Sequence, residues 1–562
     1  MKIVTALISA NLVRGRQRAN LHVLLAFVGV LVGIIIVFSL LFHLLMAREG
    51  QDHSWLTGFY WTIVAMSTIG FGDVTFVSDL GRMFSVIVIV TGTMLMLVIL
   101  PFTFIRFFYA PWLEMRDAAR APRQLPASLS GHVLLTGYGP VDKALIQRLR
   151  QFRTPFAVLV PNLTEALALD AEDVPVMLGE LDDLETYERA RVDSAALVVA
   201  TLSDPVNTNI AATVREKSST VPIAALASSA ASVDILQLAG CQQVVQLSDL
   251  LGQALARRVF GHDGRSHVIG QLDQLAIAEV AAAGTPLVGK TVRETDLRSR
   301  FNLNVAGVWE RGHFTIGFPD IQITAKTVLL LAGAHENLKS YDAAFAIPSK
   351  TSSLTLIIGG GRVGRNTARA LAERGVDYRI VEQIQGRSLD PGRTVVGDAA
   401  DLDVLNDAGI REATSVVVTT HEDAVNIYLT LYCRRLRPDL LILSRSTLER
   451  NATTLHRAGA DFVFSYASMG ANAIFNTLRG HRMLFVAEGL DVFTTPVPRT
   501  LVGRTLAESH LRQETGCNVL AICTGHQVTA EVDVSMPLSE GSELILIGDR
   551  EAEDRFFNIY SD

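Results

Sequence analysis

At 562 residues the chain holds about four domains' worth of sequence, taking roughly 150 residues per domain, so a single small domain is excluded. Its 50 Lys and Arg face 57 Asp and Glu, a formal charge of -7, which argues against a general nucleic-acid binder. With 49% hydrophobic and only 19% charged residues, and a mean hydropathy of +0.30, one part is expected in lipid and the rest in water. Four cysteines, Cys241, Cys433, Cys517 and Cys523, show neither pair nor metal spacing and read as reduced, packed thiols.

The first apolar run, 19–47, contains no Asp, Glu, Lys or Arg, and its 29 residues would cover about 43 Å as helix, enough to cross a hydrocarbon core of roughly 30 Å. A second run, 83–105, lies between Arg82 and Arg106 and spans equally well. Lys2, Arg14, Arg16 and Arg18 precede the first run, and Arg106, Arg116, Arg120 and Arg123 follow the second, which predicts cytoplasmic N- and C-terminal flanks. A third full crossing between them would put the C-terminal flank on the wrong side. The stretch 55–66 is therefore expected to be a short re-entrant helix, which Ser67-Thr68-Ile69-Gly70-Phe71-Gly72-Asp73 cannot comfortably continue because of its alternate glycines. Non-helical backbone at that depth requires a protein-lined, ion-filled cavity. Gly92, inside the second span, is either a gating bend or a point of close helix packing.

From His132 onward the texture changes to short apolar strands at 132–137, 156–160, 176–178 and 195–200, separated by helix-length segments, which favours a parallel α/β sheet. The order repeats at 354–359, 378–382, 394–398 and 415–419. Gly137 and Gly359 are 222 residues apart, Gly179 and Gly397 218, and Gly240 and Gly459 219, the mark of an internal duplication. A smaller module follows each α/β unit: Pro286 and Gly289, in a Val-Gly-Lys-Thr turn, correspond to Pro498 and Gly503, in a Val-Gly-Arg-Thr turn. The expected organisation is a membrane domain at 1–110, a linker at 111–130, α/β units at 131–262 and 351–480, and their smaller companions at 263–350 and 481–562.

Gly359-Gly360-Gly361-Arg362-Val363-Gly364 supplies G-x-G-x-x-G between a strand and a helix. Backbone N–H groups and the helix terminus there can cradle phosphate, with Arg362 approaching it, while Glu382 at the next strand end suits ribose hydroxyls. An acid at that place favours NAD or NADH over a phosphorylated ribose, with AMP and ATP kept open. Arg445 is either a further phosphate contact or a surface ion-pair residue. In the first unit, Gly137-Tyr138-Gly139-Pro140-Val141-Asp142 has an acid where the third glycine belongs, and the following strand ends Val160-Pro161-Asn162. That site reads as degraded, its unit kept for assembly or mechanical roles.

TIGFGD, residues 68–73, resembles the potassium-channel filter, usually written TVGYGD. The resemblance implies a selectivity filter of Thr68, Ile69, Gly70, Phe71 and Gly72, its carbonyls turned to dehydrated K⁺, with Asp73 supporting its outer end. Phe71 in place of Tyr removes a hydroxyl that would brace it. One filter loop per chain implies a homotetramer. The paired modules resemble the RCK regulators of K⁺ conductance, and the likeness covers nearly the whole chain. It implies a prokaryotic two-transmembrane potassium channel of a bacterial or archaeal plasma membrane, with an intracellular ring of eight RCK modules whose ligand-driven repacking gates the pore.

By the same resemblance Asp398 falls near the nucleotide pocket, with a strand-end cap as the alternative. Carboxylate sites in RCK families raise Ca²⁺ as a second control. Asp170, Glu172, Asp173, Glu180, Asp182, Asp183 and Glu185, or His421-Glu422-Asp423, are suggestive, but without EF-hand spacing the metal ligands stay unknown. The expected partners are the lipid membrane and a small-molecule nucleotide, with no nucleic acid and no catalytic role. The rivals are a K⁺ transporter component of Trk or Ktr type, whose translocating chains usually carry several filter repeats, and a membrane-anchored NAD-dependent oxidoreductase, for which no donor-acceptor constellation is tied together by spacing.

Overall fold

The computed structural model describes residues 2–110, 121–259, 264–272, 274–310, 313–316, 319–347, 354–387, 390–478, 483–487, 490–524, 527–529 and 534–560. The chain divides into two compact units, Met1–Ala121 and Pro122–Asp562. Of the expected linker, 111–120 lies outside the described residues.

The first unit contains α1 (Lys2–Arg48), α2 (Trp55–Met66) and α3 (Asp79–Gly92). Leu25–Arg48 and Asp79–Phe104 are long and apolar enough to cross a membrane. The helix of α1 also takes in the basic stretch before residue 19, which lacks proline and so does not interrupt the backbone ladder. Beyond Gly92 the second span is not a plain α-helix: π-helical turns run over Thr93–Ile99 and Ile105–Tyr109, with α-helical Leu100–Phe104 between them. Pro101 has no N–H to offer the preceding turn, and the widened turns on either side are where the hydrogen-bond ladder accommodates it. Phe42, Trp61, Phe76 and Phe84 form one aromatic cluster between the helices, with ring centroids 5.0 Å apart for Phe42–Trp61 and 5.3 Å for Trp61–Phe76. Glu49, just past α1, accepts bonds from the backbone N–H groups of Val77 (3.0 Å) and Ser78 (3.1 Å), fixing the start of α3.

The second unit opens with β1 (Val133–Leu135), α4 (Pro140–Gln151), β2 (Phe156–Val160), β3 (Val176–Leu178), β4 (Leu197–Ala200), β5 (Ile223–Leu226), β6 (Gln243–Val245) and α5 (Leu247–Val259). The strands form a parallel sheet in the order β3-β2-β1-β4-β5-β6. Next come β7 (His267–Leu272), β8 (Leu275–Ala281), β9 (Asn304–Glu310), β10 (His313–Ile316) and β11 (Val328–Gly333), antiparallel in the order β10-β9-β11-β8-β7. The duplicate repeats both layers. Its parallel sheet comprises β12 (Thr355–Ile358), β13 (Tyr378–Glu382), β14 (Thr394–Val396), β15 (Ser415–Val418), β16 (Leu441–Ser446) and β17 (Phe462–Ser465), in the order β14-β13-β12-β15-β16-β17. Two of its helices are α6 (Arg362–Glu373) and α7 (Tyr466–Leu478). The last sheet holds β18 (Met483–Ala487), β19 (Leu490–Pro496), β20 (Asn518–Thr524), β21 (Gln527–Thr529) and β22 (Glu543–Asp549), followed by α8 (Arg550–Tyr560). Strand order reverses beside β1 and beside β12, which opens a crevice at each sheet's carboxyl edge.

The copies exchange helices: α5 packs on α6, and α7 packs on α4. Equivalent glycines set both crossings. A methyl group on Gly252 would lie 2.7 Å from the Asn366 β-carbon and 2.8 Å from the Thr367 nitrogen, and one on Gly470 would lie 2.9 Å from a Val141 methyl. The second crossing is pinned by a buried cation. Arg148 pairs with Asp491 and with Glu553 (2.9 Å), and its Nε donates to Asn472 Oδ1 at 3.1 Å. Burial, with Asp491 beside it, pushes the Glu553 carboxyl up to about 7 despite the Arg148 charge. All four cysteines are buried and free.

Candidate functional site

In the first unit the site begins with the capping of α2. Ser54 Oγ accepts the Thr57 N–H at 3.2 Å, and the helix ends where Ile69 N and Thr68 N bond back to the carbonyls of Val64 and Ala65, both at 3.1 Å. The following backbone takes positive φ at every second residue: Thr68 (61°), Gly70 (52°) and Gly72 (77°). Inverting alternate residues lets successive carbonyls face one side, and for Thr68 this costs on the order of 1–2 kcal/mol. Ile69 and Phe71 are exposed in the single chain. The Phe71 ring lies parallel to that of Tyr60, centroids 6.4 Å apart. Trp61 Nε1 donates to the Val74 carbonyl at 3.1 Å. Gly92 is helical (φ -61°, ψ -47°), and a methyl group there would fall 2.3 Å from the Met66 α-carbon, so it lies where α3 touches the end of α2.

In the second unit, β12 delivers the chain to Gly359 at φ 104°, a conformation glycine adopts freely. Gly361 precedes the first turn of α6, and nothing lies within 4 Å of where its side chain would start. A methyl group on Gly364 would meet the Gly359 carbonyl oxygen at 1.9 Å, so helix and loop touch through bare backbone. Val363 is buried beneath the loop. Glu382, 5% exposed at the end of β13, accepts the N–H groups of Gly360 (2.6 Å) and Ile384 (3.0 Å), with Arg387 3.8 Å away.

A cavity of about 750 Å³ opens over this loop. Asp398 is exposed on its wall and also caps the turn after β14 by accepting the Ala400 N–H at 2.9 Å. Arg445 is no surface ion-pair residue. It is 4% exposed, its guanidinium lies 5.5 Å from the Tyr466 ring, one terminal nitrogen donates to Thr447 Oγ1 at 3.2 Å, and its Nε has no acceptor. Burial of β16, where it sits, drew Arg445 inward. Burial and the charges of Arg445, Arg362 and Arg387 hold His421, also on the wall, below its usual range, which reports a positive field.

The other wall comes from the first copy. Thr201, Asp204 and Ser228 line the same cavity, and Arg362 reaches across to donate to the Ser228 carbonyl at 3.3 Å. Sequence reasoning missed these residues. They lie more than 130 positions upstream of the loop they face, and only the helix exchange brings them there.

The first copy's own loop is closed by its acid. Asp142, 1% exposed at the position equivalent to Gly364, accepts the Gly139 N–H at 2.9 Å and the Thr201 hydroxyl at 2.7 Å. Burial raises its pKa. Among the described residues no group of three or more His, Cys, Asp or Glu converges as a metal shell. Asp183 instead caps the Glu185 N–H (3.2 Å), and Asp423 accepts from Thr447 N, Leu448 N and Asn451 Nδ2.

Comparison with known proteins bears on the whole chain. Residues 26–109 match the ion channel family model, 133–247 and 355–466 the TrkA-N domain, and 276–346 and 492–561 the TrkA-C domain. A solved structure described as the GsuK channel bound to NAD is 36% identical, with a TM-score of 0.58, covering 96% of this chain and 99% of that one. The GsuK RCK domain alone is 35% identical with a TM-score of 0.57, covering 80% of this chain and 99% of its own. Probable potassium channel protein 2 of Methanocaldococcus jannaschii is 24% identical over 314 residues, 53% of this chain and 90% of that protein.

Proposed function

Because the chain belongs to the potassium-channel family that joins an ion-channel pore to RCK (TrkA-N and TrkA-C) domains, we propose that it conducts K⁺ under the control of NAD⁺ or NADH bound at the Gly359–Gly364 loop. The observation that carries the nucleotide assignment is the cavity itself. It sets an open glycine loop at a helix N-terminus, a buried carboxylate on Glu382, and a buried guanidinium on Arg445 with a donor to spare. Loop N–H groups and Arg445 take the pyrophosphate, with Arg362 beside them, and Glu382 takes the adenosine ribose. AMP and ATP share the adenosine contacts and are the ligands to compete against.

In this proposal four chains bring together four copies of Thr68–Gly72 around the ion path, with Asp73 at the outer end of each. Eight RCK modules form a ring on the cytoplasmic side, where both termini lie. A ligand gates only by binding the open and closed arrangements unequally. Here it can do so by drawing together walls that belong to different modules, since Ser228 and Arg362 meet across the cavity.

The test is planar-bilayer current from the purified channel in a K⁺/Na⁺ gradient, with NAD⁺, NADH, ATP and Ca²⁺ added separately on the RCK side. A reversal potential at the K⁺ value, with open probability moved by a dinucleotide, is expected. Current indifferent to every nucleotide would overturn the ligand assignment, and loss of K⁺ over Na⁺ preference would overturn the filter assignment.

A further inference from the structure

A second cavity, of about 440 Å³, lies between the smaller module of the first copy and the Rossmann-like unit of the second. Its walls include Arg257 and Arg258 at the end of α5, Glu279 on β8, Trp309 on β9, Lys326 before β11, and Asp461 before β17. The acids there are spoken for. Glu279 is buried against Arg258, Asp461 binds Arg434 at 2.7 Å, and Asp439, also on the wall, binds Arg437 at 2.6 Å. Among the described residues the side chains of Arg257 and Lys326 have no acid within ion-pair distance and no hydrogen-bond partner, the Lys326 backbone N–H alone donating to Thr324 Oγ1. Trp309 is 6% exposed, yet its indole N–H has no acceptor. Burial, with Arg374 nearby, pushes Arg257 down from the usual arginine value against the opposing charge of Glu279, which is itself paired with Arg258.

Buried donors ordinarily find acceptors, and an orphaned one forfeits on the order of 1–3 kcal/mol. Here the buried indole N–H of Trp309 lacks an acceptor, and the half-buried Arg257 and exposed Lys326 lack an acid, all on the wall of one cavity of ligand size. We propose that this cavity is an effector site for a small organic anion, a carboxylate or a phosphate monoester, whose charged head takes Arg257 and Lys326 and whose body packs on Trp309. The site is separate from the dinucleotide loop, and its assignment does not rest on that one. Since its walls come from different modules, an occupant braces one against the other.

Trp309 is the only tryptophan of residues 122–562, and the emission of Trp55, Trp61 and Trp112 is the background that Trp309→Phe leaves behind. The experiment titrates the full-length channel in detergent with phenyl phosphate, benzoate and inorganic phosphate, against chloride at equal ionic strength. A saturable change in emission with at least one probe, absent in Trp309→Phe, is expected. Which probe binds more tightly separates phosphate from carboxylate ligands. Arg257→Gln should weaken binding by about tenfold or more and Lys326→Gln by severalfold, the range for a lost charged hydrogen bond, with NAD⁺ affinity unchanged in both. Lys326 is exposed, so its variant decides if Arg257→Gln does not fold. No saturable response to any probe, or affinity unchanged in the folded variants, overturns the proposal.

Discussion

Replacing Gly361 by leucine separates folding from binding in the second glycine loop. The position has φ -68° and ψ -172°, backbone that any L residue adopts, and nothing stands within 4 Å of the added β-carbon. The stability change should therefore stay within about 0.5 kcal/mol. The leucine side chain would occupy the cavity above the loop, where phosphate must approach the backbone, and NAD⁺ affinity should fall by at least about tenfold, or ~1.4 kcal/mol. Gly364→Ala is the counter-case. Its methyl group would meet the Gly359 oxygen at 1.9 Å, against roughly 3.3 Å for an ordinary close C···O contact. Loop and helix must then part by more than an ångström, an overpacking cost of about 1–3 kcal/mol against ~1 kcal/mol of helix propensity gained. Thermal unfolding and calorimetric titration of the full-length channel with NAD⁺ read both quantities. Unchanged affinity in folded Gly361→Leu would refute the loop as phosphate cradle, and destabilisation above about 2 kcal/mol would refute its open surroundings.

Asp142→Ala should lower the unfolding midpoint, because it strands the Gly139 N–H and the Thr201 hydroxyl at about 1–3 kcal/mol, while NAD⁺ affinity stays unchanged; a loss of affinity would mean that the first loop also binds the nucleotide. Glu553 binds its proton more tightly folded than unfolded, so its contribution is full below the ordinary carboxylate range and is lost as pH rises through about 7. The unfolding midpoint should accordingly fall between pH 5 and 8, both about values set by that shift, and Glu553→Gln should flatten this dependence; an identical slope in the variant would assign it elsewhere. Gly92→Val drives a side chain into the Met66 backbone, so K⁺ current should be lost with NAD⁺ binding intact, and normal current would show that α2 and α3 do not need their close contact.

The duplication was legible because glycines mark strand ends and helix stops that backbone geometry cannot give to other residues. Gly240 and Gly459, 219 positions apart, have φ of 103° and 114°. The α/β texture followed from buried parallel strands such as Ser415–Val418, whose every residue is apolar or internally bonded. The π-helical turns around Pro101 were not read, since hydropathy is blind to ladder geometry. Nor was the Arg148 cluster, whose partners lie 324 to 405 positions away in sequence. Ser228 and Asp204 escaped for the same reason: a pocket wall donated by another module leaves no local pattern. Arg445 was read in two ways because a strand of six residues, Leu441–Ser446, does not announce which of its faces is covered.

The reciprocal seating of α5 and α7 governs what evolution can discard. Val141, Leu145 and Leu149 of the first copy are roofed by Ala467, Ala471 and Ile474 of the second. A message truncated after residue 350 would leave that roof unbuilt and an apolar face bare to water, an aggregation hazard. The first copy, whose own loop is closed by Asp142, therefore still supplies a face that the second must cover. Substitution is costly at Asp142, which holds its own loop, and at Gly252 and Gly470, where the halves touch, so the two halves stand or fall as one object.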